Sequence, residues 1–85
     1  MTEFRRAVYE VVRGIPKGSV MTYKAVAAAA GRPNAARAVG SAMKQNFNRD
    51  IPCHRVVRSD DKVGQYNRGG EIVKTQMLQD EGVSR

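Results

Sequence analysis

The stretch TYKAVAAAAGRPNAARAVGSAMKQ, residues 22–45, decides the fold of this chain. Its first residue is a typical N-cap, and the alanine-rich run Tyr23–Ala30 has the composition of a short helix. The turn Gly31-Arg32-Pro33-Asn34 follows, and its asparagine is the expected N-cap of a second helix over about Ala35–Gln45. Two short helices joined by a tight glycine-containing turn are typical of a helix-turn-helix.

Shorter signals on both sides of this pair predict three further elements. Thr2 is the expected cap of a first helix, and Gly14 is expected to end it. Strand-like residues at Ser19–Met21 and Arg55–Arg58 predict two brief strands. The pattern therefore predicts a mainly α domain with a few short strands.

The last third of the chain predicts a glycine-rich loop and a final helix. Residues 63–70 contain too much glycine for a regular element, which indicates a loop that approaches a ligand closely. The final helix is predicted over about Glu71–Asp80, and Gly82 is expected to end it. The expected apolar side of this helix is Ile72, Val73, Met77 and Leu78.

Positive charge is concentrated in the first two-thirds of the chain. The net charge is +7, and the pI is close to 10.2. Residues 1–58 carry eleven Lys and Arg against three acidic residues, whereas residues 59–85 carry four against five. This distribution favours a polyanion, most plausibly nucleic acid, as the partner. On charge alone, a basic surface that only improves solubility is equally compatible.

Composition also excludes several classes of protein. No apolar stretch approaches the length of a membrane span, and the first residues lack the apolar centre of a signal peptide. One cysteine cannot form an internal disulfide, and one cysteine with one histidine cannot make a zinc-ligand cluster. We therefore expect a single domain over residues 1–85 in a reducing, intracellular compartment, the cytoplasm or a eukaryotic nucleus. No metal, cofactor or membrane contact is expected.

The only cysteine and the only histidine are neighbours in the string Ile51-Pro52-Cys53-His54-Arg55-Val56. A thiol becomes a strong nucleophile at neutral pH when a proton acceptor is nearby. Pro52 favours extended backbone before the cysteine. Because adjacent side chains of an extended strand point to opposite faces, we expect His54 to act on Cys53 through a bridging water.

One arginine interrupts a run of small residues at the start of the second helix of the pair. Residues 35–42 are almost all Ala, Gly and Ser around Arg37. Small side chains let a helix approach a partner closely, while a long cation can reach into it. Some of the small residues are also expected to pack against the preceding helix. Arg37 is more easily explained by a ligand than by a core position.

Five ordered segments resemble the C-terminal, active-site domain of the O6-alkylguanine-DNA alkyltransferases, also called methylated-DNA–protein cysteine methyltransferases. The string around Cys53 resembles the active-site signature of this family, and the helical pair resembles its recognition elements. The resemblance implies a winged-helix-like domain that contains a helix-turn-helix. The matching segments are Val20–Tyr23, Asn34–Gly40, Ile51–Val57, Val63–Tyr66 with Gly69-Gly70, and Lys74–Gly82.

This resemblance implies direct reversal of DNA damage. The thiolate of Cys53 would attack the alkyl carbon on guanine O6, or on thymine O4, by in-line displacement. The alkyl group would stay on the sulfur, so the protein would act once and need no cofactor. His54 would serve as the base through water, and Glu81 would orient His54 and stabilise its charge. Asn46 resembles the residue that braces the turns around the recognition helix and the active site.

The resemblance also assigns residues to the damaged base. Tyr23 would lie near guanine N3, where a donor would stabilise the negative charge of the leaving purine. The loop around Tyr66 and Asn67 would face O6. The carbonyl groups of Cys53 and Val56 would accept hydrogen bonds from the guanine amino group.

The implied partner is double-stranded DNA carrying O6-alkylguanine, bound through its minor groove by a monomer. The damaged base must leave the stack, because a buried thiol cannot reach O6 inside a duplex. Arg37 would fill the hole that the extruded nucleotide leaves. The small residues expected to face the groove are Ala35, Ala36 and Ala38. The residues expected to contact phosphates are Lys24, Arg32, Lys44 and Arg49.

Three other functions remain open from the sequence. The alkyltransferase-like proteins are single-domain relatives that bind alkylated guanine without repairing it, and they typically have tryptophan where this chain has Cys53. A second alternative is a helix-turn-helix regulator that reads the major groove and has an incidental buried cysteine. A thiol hydrolase is more remote, since the sequence suggests neither an oxyanion site nor an acyl pocket.

Overall fold

The computed structural model describes residues 2–46, 48, 50–58, 64 and 69–83. Over these residues the protein is mainly α-helical with one small two-stranded sheet, which confirms the predicted fold class. No helix in this part of the chain combines the length and apolar character needed to cross a membrane. The elements are α1 (Glu3–Arg13), β1 (Met21–Thr22), α2 (Tyr23–Ala29), α3 (Ala36–Lys44), a 3₁₀ turn (Cys53–Arg55), β2 (Val56–Val57) and α4 (Gly70–Asp80).

Two predicted helix caps are confirmed, and a third is wrong. The hydroxyl groups of Thr2 and Thr22 accept hydrogen bonds from backbone N–H groups three residues ahead, at 3.1 and 3.0 Å. Asn34 does not cap α3, because Ala35 occupies that position without a side-chain cap. The N–H of Ala35 instead bonds the carbonyl of Arg32 at 3.0 Å, so Asn34 lies inside a β-turn.

The turn between α2 and α3 depends on a glycine with left-handed backbone. Gly31 has φ +97°, and its N–H bonds the carbonyl of Ala28 at 3.0 Å. The N–H of Arg32 bonds the carbonyl of Ala27 at 2.9 Å, which completes a Schellman motif. This motif ends α2 sharply, and α3 then packs across it. The predicted helix-turn-helix is therefore present.

The main core lies between α1, α2, α3 and the segment that contains the cysteine. Its members are aliphatic side chains together with the thiol, so the cysteine belongs to the same apolar cluster that joins the three helices. A second, smaller cluster joins β2 to α4. The largest fully buried core residues from the first cluster are Val8, Val12, Val26, Val39 and Val56.

The two strands are parallel, which the sequence did not predict. Met21 pairs with Val56, and Thr22 pairs with Val57. Both strands are shorter than expected, at two residues each. Their pairing places Tyr23, the residue after β1, beside the chain that leaves the Cys53 turn. The sheet thus joins the helix-turn-helix to the cysteine segment.

The predicted apolar side of α4 is confirmed at Met77 and Leu78, which pack inwards, and is wrong at Ile72 and Val73, which are exposed. Ile72 is 86% exposed, whereas Lys74 is 1% exposed. The inward face is formed by Lys74, Leu78 and Glu81, whose spacing of three or four residues is that of one helix face. Sequence patterning selects the more apolar residues for the core. Here the face that meets the cysteine segment contains a cation and a carboxylate, so hydropathy misplaces it.

Candidate active site and adjoining cavity

The cysteine lies in a tight turn rather than in extended backbone. Residues Cys53–Arg55 form one turn of 3₁₀ helix, closed by the N–H of Arg55 on the carbonyl of Pro52 at 2.9 Å. The expectation that Cys53 and His54 point to opposite faces of a strand is therefore wrong, since a 3₁₀ turn has three residues per turn. Pro52 lies at φ −79°, which its ring allows, and precedes the turn. Both Cys53 and His54 are buried, at 4% and 7% exposure.

Asn46 connects the end of α3 to the cysteine turn. Its side-chain amide donates to the carbonyl groups of Asn48 and Ile51 at 3.3 and 3.4 Å, and its side-chain oxygen accepts from the N–H of Asn48 at 3.0 Å. The residue is buried. These bonds satisfy backbone groups of a loop that lacks a ladder of its own. Asn46 thus holds the segment that leads into Pro52, which suits the bracing role expected for it.

A three-residue network surrounds the carboxylate of Glu81. His54 Nε2 lies 3.0 Å from Glu81 Oε2. Arg55 donates to both carboxylate oxygens, from Nε at 2.9 Å and from Nη2 at 2.8 Å. The remaining terminal nitrogen of Arg55 donates to the carbonyl of Ile15 at 2.8 Å. This forked pairing fixes Glu81 in one orientation and ties the turn to the segment after α1.

The carboxylate of Glu81 is held ionised by this network. Hydrogen bonds from Arg55 are the largest cause, and the contact with His54 adds to them, so the pKa of Glu81 falls from its ordinary 4.5 to about 2. An ionised carboxylate only accepts hydrogen bonds, so the facing Nε2 of His54 must be the donor. The other ring nitrogen, Nδ1, is then the atom of the neutral imidazole that can take a proton.

The end of α4 explains why Glu81 reaches this position. Glu81 is the C-cap, and Gly82 follows with φ +90°. The N–H of Val83 bonds the carbonyl of Leu78 at 2.9 Å in a second Schellman motif. The negative end of a helix dipole disfavours a carboxylate, and the guanidinium of Arg55 offsets that penalty. Gly82 therefore matters because it ends the helix at the residue that must face His54.

The Glu81 network predicts how stability depends on pH. Because the folded pKa of Glu81 is depressed, its contribution is fully present above the unfolded value of about 4.5 and is lost as pH falls towards 2. We expect the stability difference between the wild type and Glu81→Gln to be constant from pH 5 to 7 and to shrink below pH 4.5. Urea unfolding of both proteins across this range measures it. A difference that stays constant down to pH 2 contradicts the proposed coupling.

Sequence reasoning missed Lys74, which lies beside the predicted tyrosine and cysteine. Lys74 Nζ donates to Tyr23 Oη at 3.4 Å and lies 5.5 Å from the centre of the Tyr23 ring. Burial is the main reason that the pKa of Lys74 falls to about 8, and attraction to the charge of Cys53 opposes that fall. At neutral pH the ammonium form therefore predominates beside the thiol.

Tyr23 is coupled to the same groups. Burial is the largest cause that raises its pKa, the negative charge of Cys53 raises it further, and Arg58 lowers it. Tyr23 is therefore a neutral phenol at pH 7. Because an ammonium can only donate, Tyr23 Oη accepts from Lys74 and its own O–H points elsewhere. The Tyr23 hydroxyl is therefore a hydrogen-bond donor at the N-terminal end of α2.

An open cavity of about 530 Å³ lies between the helix-turn-helix and the chain after β2. Tyr23, which interacts electrostatically with Cys53, is one of the residues that line it. Lys24, Ala36 and Arg37 line it from the helical pair, and Arg58 lines it from the chain after β2. The predicted DNA-facing residues Lys24, Ala36 and Arg37 thus meet at one opening.

Other predicted contact residues lie away from this opening or have other partners. Ala35 is half-buried and packs against the main core. Ala38 is exposed on α3, and Lys44 is exposed in its last turn. Arg32 is exposed, with its guanidinium carbon 5.2 Å from the centre of the Phe4 ring. An exposed cation on an aromatic face can still turn one edge towards a phosphate.

Of the remaining predicted contacts with the damaged base and the phosphates, one lies within the described part of the chain and three lie outside it. Tyr66, Asn67 and Arg49 lie outside the described residues. Val56 is fully buried in β2, and its N–H donates to the carbonyl of Cys53. That carbonyl retains a second lone pair for another donor.

Two cations besides Lys74 were not singled out from the sequence. Arg55 belongs to the string around Cys53, yet its pairing with Glu81 joins positions 26 residues apart and only the fold shows it. Arg58 is one of many exposed basic residues in the first two-thirds of the chain.

Comparison with known proteins places this chain in a family. Residues 3–83 match the model of the 6-O-methylguanine DNA methyltransferase DNA-binding domain. A methylated-DNA–protein-cysteine methyltransferase of Methanothermobacter thermautotrophicus is 48% identical over 98% of the chain, and the Rattus norvegicus protein of that name is 44% identical over 93%. The chain spans 46% and 38% of the length of these two relatives.

Solved structures give the same result. The crystal structure of Mycobacterium tuberculosis OGT in complex with DNA matches with a TM-score of 0.89 and 36% identity, covering 96% of this chain and 50% of that one. S. pombe Atl1 in complex with damaged DNA containing O6-carboxymethylguanine matches with a TM-score of 0.87 and 37% identity, covering 99% and 80%. The chain therefore belongs to the 6-O-methylguanine DNA methyltransferase family, of which it contains the DNA-binding domain.

Proposed function

We propose that this protein repairs DNA by moving an alkyl group from guanine O6, or thymine O4, to the sulfur of Cys53. The Sγ–carbon bond forms as the carbon–O6 bond breaks, and the bonding electrons move onto the purine. The purine then takes up a proton, and normal guanine remains. Since the thioether is stable, each protein molecule acts once. The observation that carries this proposal is a buried cysteine turn whose next residue, His54, is hydrogen-bonded to the ionised carboxylate of Glu81.

The roles of the neighbouring side chains follow from their donors and charges. Nδ1 of His54 takes the thiol proton through a water, while Glu81 holds the ring and stabilises the imidazolium. The ammonium of Lys74 stabilises the thiolate in a region with little water. Tyr23 donates to the leaving purine, where the developing negative charge needs a donor. Asn46 and Arg55 act by positioning, since their bonds fix the turn and the carboxylate.

The helix-turn-helix supplies the DNA contacts in this proposal. Two structural neighbours are complexes with DNA, which supports binding by the same fold. We infer that α3 lies in the minor groove, that Arg37 fills the space of the extruded nucleotide, and that one monomer suffices. Lys24, which shares the cavity with Arg37, is the best placed of the predicted phosphate contacts.

Intact-protein mass spectrometry tests the transfer directly. The protein is incubated with a duplex carrying one O6-methylguanine, and its mass is expected to rise by one methyl group. Peptide mapping is expected to place that methyl group on Cys53, the only cysteine. Binding of this duplex with no change in mass would refute the transfer.

A non-reacting lesion sensor is the second candidate function. The likeness to S. pombe Atl1, of which this chain covers 80%, favours it. A sensor would bind the modified duplex tightly without any mass change, and Cys53→Ala would bind it equally well. Cysteine at position 53 favours the transferase, because a thiol is the chemical requirement for accepting an alkyl group.

Arg37→Ala is expected to slow repair of O6-methylguanine in duplex DNA by about tenfold, with little effect on reaction with the free base. The side chain lines the cavity beside Tyr23, and we expect it to offset the cost of unstacking the base. Single-turnover rates on both substrates give the comparison. Arg13→Ala, an exposed arginine at the end of α1, is the control. Equal losses on the two substrates would contradict an intercalating role.

A further inference from the structure

Arg58 and Tyr23 line the cavity together. Its Cγ and Cδ lie 3.2 and 3.5 Å from the point that a Cβ on Gly64 would occupy, and Tyr23 Oη lies 3.4 Å from the same point. The Arg58 stem and the Tyr23 hydroxyl therefore meet at one place. Arg58 also exerts an electrostatic effect on Tyr23. Because Gly64, with φ +84°, has no side chain, it leaves space for the Arg58 stem and the Tyr23 hydroxyl to approach each other.

The cavity is strongly cationic. Three basic side chains line it, Lys24, Arg37 and Arg58, and none of the described residues that line it is acidic. A fourth cation, Lys74, lies on the inner side of Tyr23. Under the proposed function, phosphates of the duplex account for the cations of the helical pair. Arg58 belongs instead to the chain after β2, and its stem lies beside Tyr23, the tyrosine proposed to face the damaged base.

We propose that Arg58 makes this site prefer O6-alkyl groups that end in a negative charge, such as carboxymethyl, over neutral groups of the same size. This preference rests on the proposed alkyl transfer. A guanidinium pairs with a carboxylate through two parallel N–H donors, which gives both affinity and orientation. A neutral amide of the same shape accepts only one of these bonds and carries no charge. Held in this way, the carboxylate directs the methylene carbon towards Cys53.

The transfer step balances without another reactant. Sγ of Cys53 forms a bond to the methylene carbon, and the bond from that carbon to O6 breaks. The electron pair goes to the purine, which takes up one proton, and the carboxylate keeps its charge throughout. The product is S-carboxymethylcysteine and unmodified guanine.

Three matched duplexes test the preference, with one O6-carboxymethylguanine, one O6-carbamoylmethylguanine or one O6-methylguanine. Single-turnover transfer rates are measured for the wild type, Arg58→Gln and Arg13→Gln. The two larger adducts differ in intrinsic reactivity, so the informative quantity is the carboxymethyl-to-carbamoylmethyl rate ratio of each protein. Comparing this ratio between proteins cancels the intrinsic difference.

Arg58→Gln is expected to lower the ratio by about tenfold or more, the usual effect of losing one charge-assisted bond. Arg13→Gln is expected to leave it unchanged. An unchanged ratio in Arg58→Gln overturns the proposal. An equal loss on all three duplexes also overturns it, because that pattern assigns Arg58 to a backbone phosphate. If the wild type leaves the methyl adduct intact, the alkyl transfer itself fails and the preference fails with it.

Discussion

Replacing Glu81 by glutamine is expected to slow alkyl transfer to Cys53 by about 10²- to 10⁴-fold. The carboxylate accepts from Nε2 of His54 at 3.0 Å, and this makes Nδ1 the atom that acts as the base in the proposed mechanism. A glutamine whose oxygen stays on Arg55 presents its NH₂ group to His54, and two donors cannot bond each other. His54 must then move its proton to Nδ1 or turn away. Either change removes the base that serves the thiol.

Single-turnover rates on a duplex with O6-methylguanine measure this loss. Glu10→Gln is the matched control, because it removes the same charge from an exposed site on α1. DNA affinity and thermal unfolding of each variant separate a chemical defect from a folding defect. A Glu81→Gln protein that folds and transfers within twofold of the wild type would exclude the orienting role.

Replacing Lys74 by methionine is expected to slow transfer by about 10- to 100-fold, and to leave stability unchanged or raise it by about 1 kcal/mol. Lys74 is 1% exposed, and its ammonium has lost most of its hydration, which the fall in its pKa to about 8 reflects. Methionine fills a similar volume without that cost. It also removes the cation beside Tyr23 and the thiol, so function and stability should change in opposite directions.

The pH profile distinguishes this electrostatic role from a merely structural one. Lys74 loses its proton as pH rises through about 8, so the wild-type rate should decline there. The methionine variant has no ammonium to lose and should lack that decline. Lys17→Met, at an exposed turn, is the control. A Lys74→Met variant with the wild-type rate and the wild-type profile contradicts the role.

Local signals predicted most of the fold correctly. The Thr2 and Thr22 caps and the Gly31 and Gly82 stops depend on backbone groups within a few residues, so the sequence can report them. The prediction of a helix cap was wrong where two local hydrogen-bonding preferences competed for the same residue. Asn34 is an excellent cap by type, but the hydrogen bond that closes the Arg32–Ala35 turn takes it out of that position.

The site shows the same division between local and distant information. Cys53 and His54 are adjacent, so their chemistry could be inferred from the string alone, although the 3₁₀ turn could not. Arg55 is bound to Glu81, 26 residues away, and Lys74 to Tyr23, 51 residues away. Position in the family supplied the expectation for Glu81, and no periodicity could have supplied it. Lys74 was missed because hydropathy assigns the apolar residues of a helix to its buried face, and a buried lysine is an exception to that rule.

By itself, the amino-acid sequence determined the helix-turn-helix and the adjacent cysteine and histidine of the proposed active site, because each depends on residues close together in the chain. Only the tertiary structure decided the electrostatic surroundings of the thiol. The parallel pairing of β1 with β2 places Tyr23 next to the cysteine turn, and α4 then presents Lys74 and Glu81 to it. Charges act through distance in space, and that distance exists only after the chain has folded.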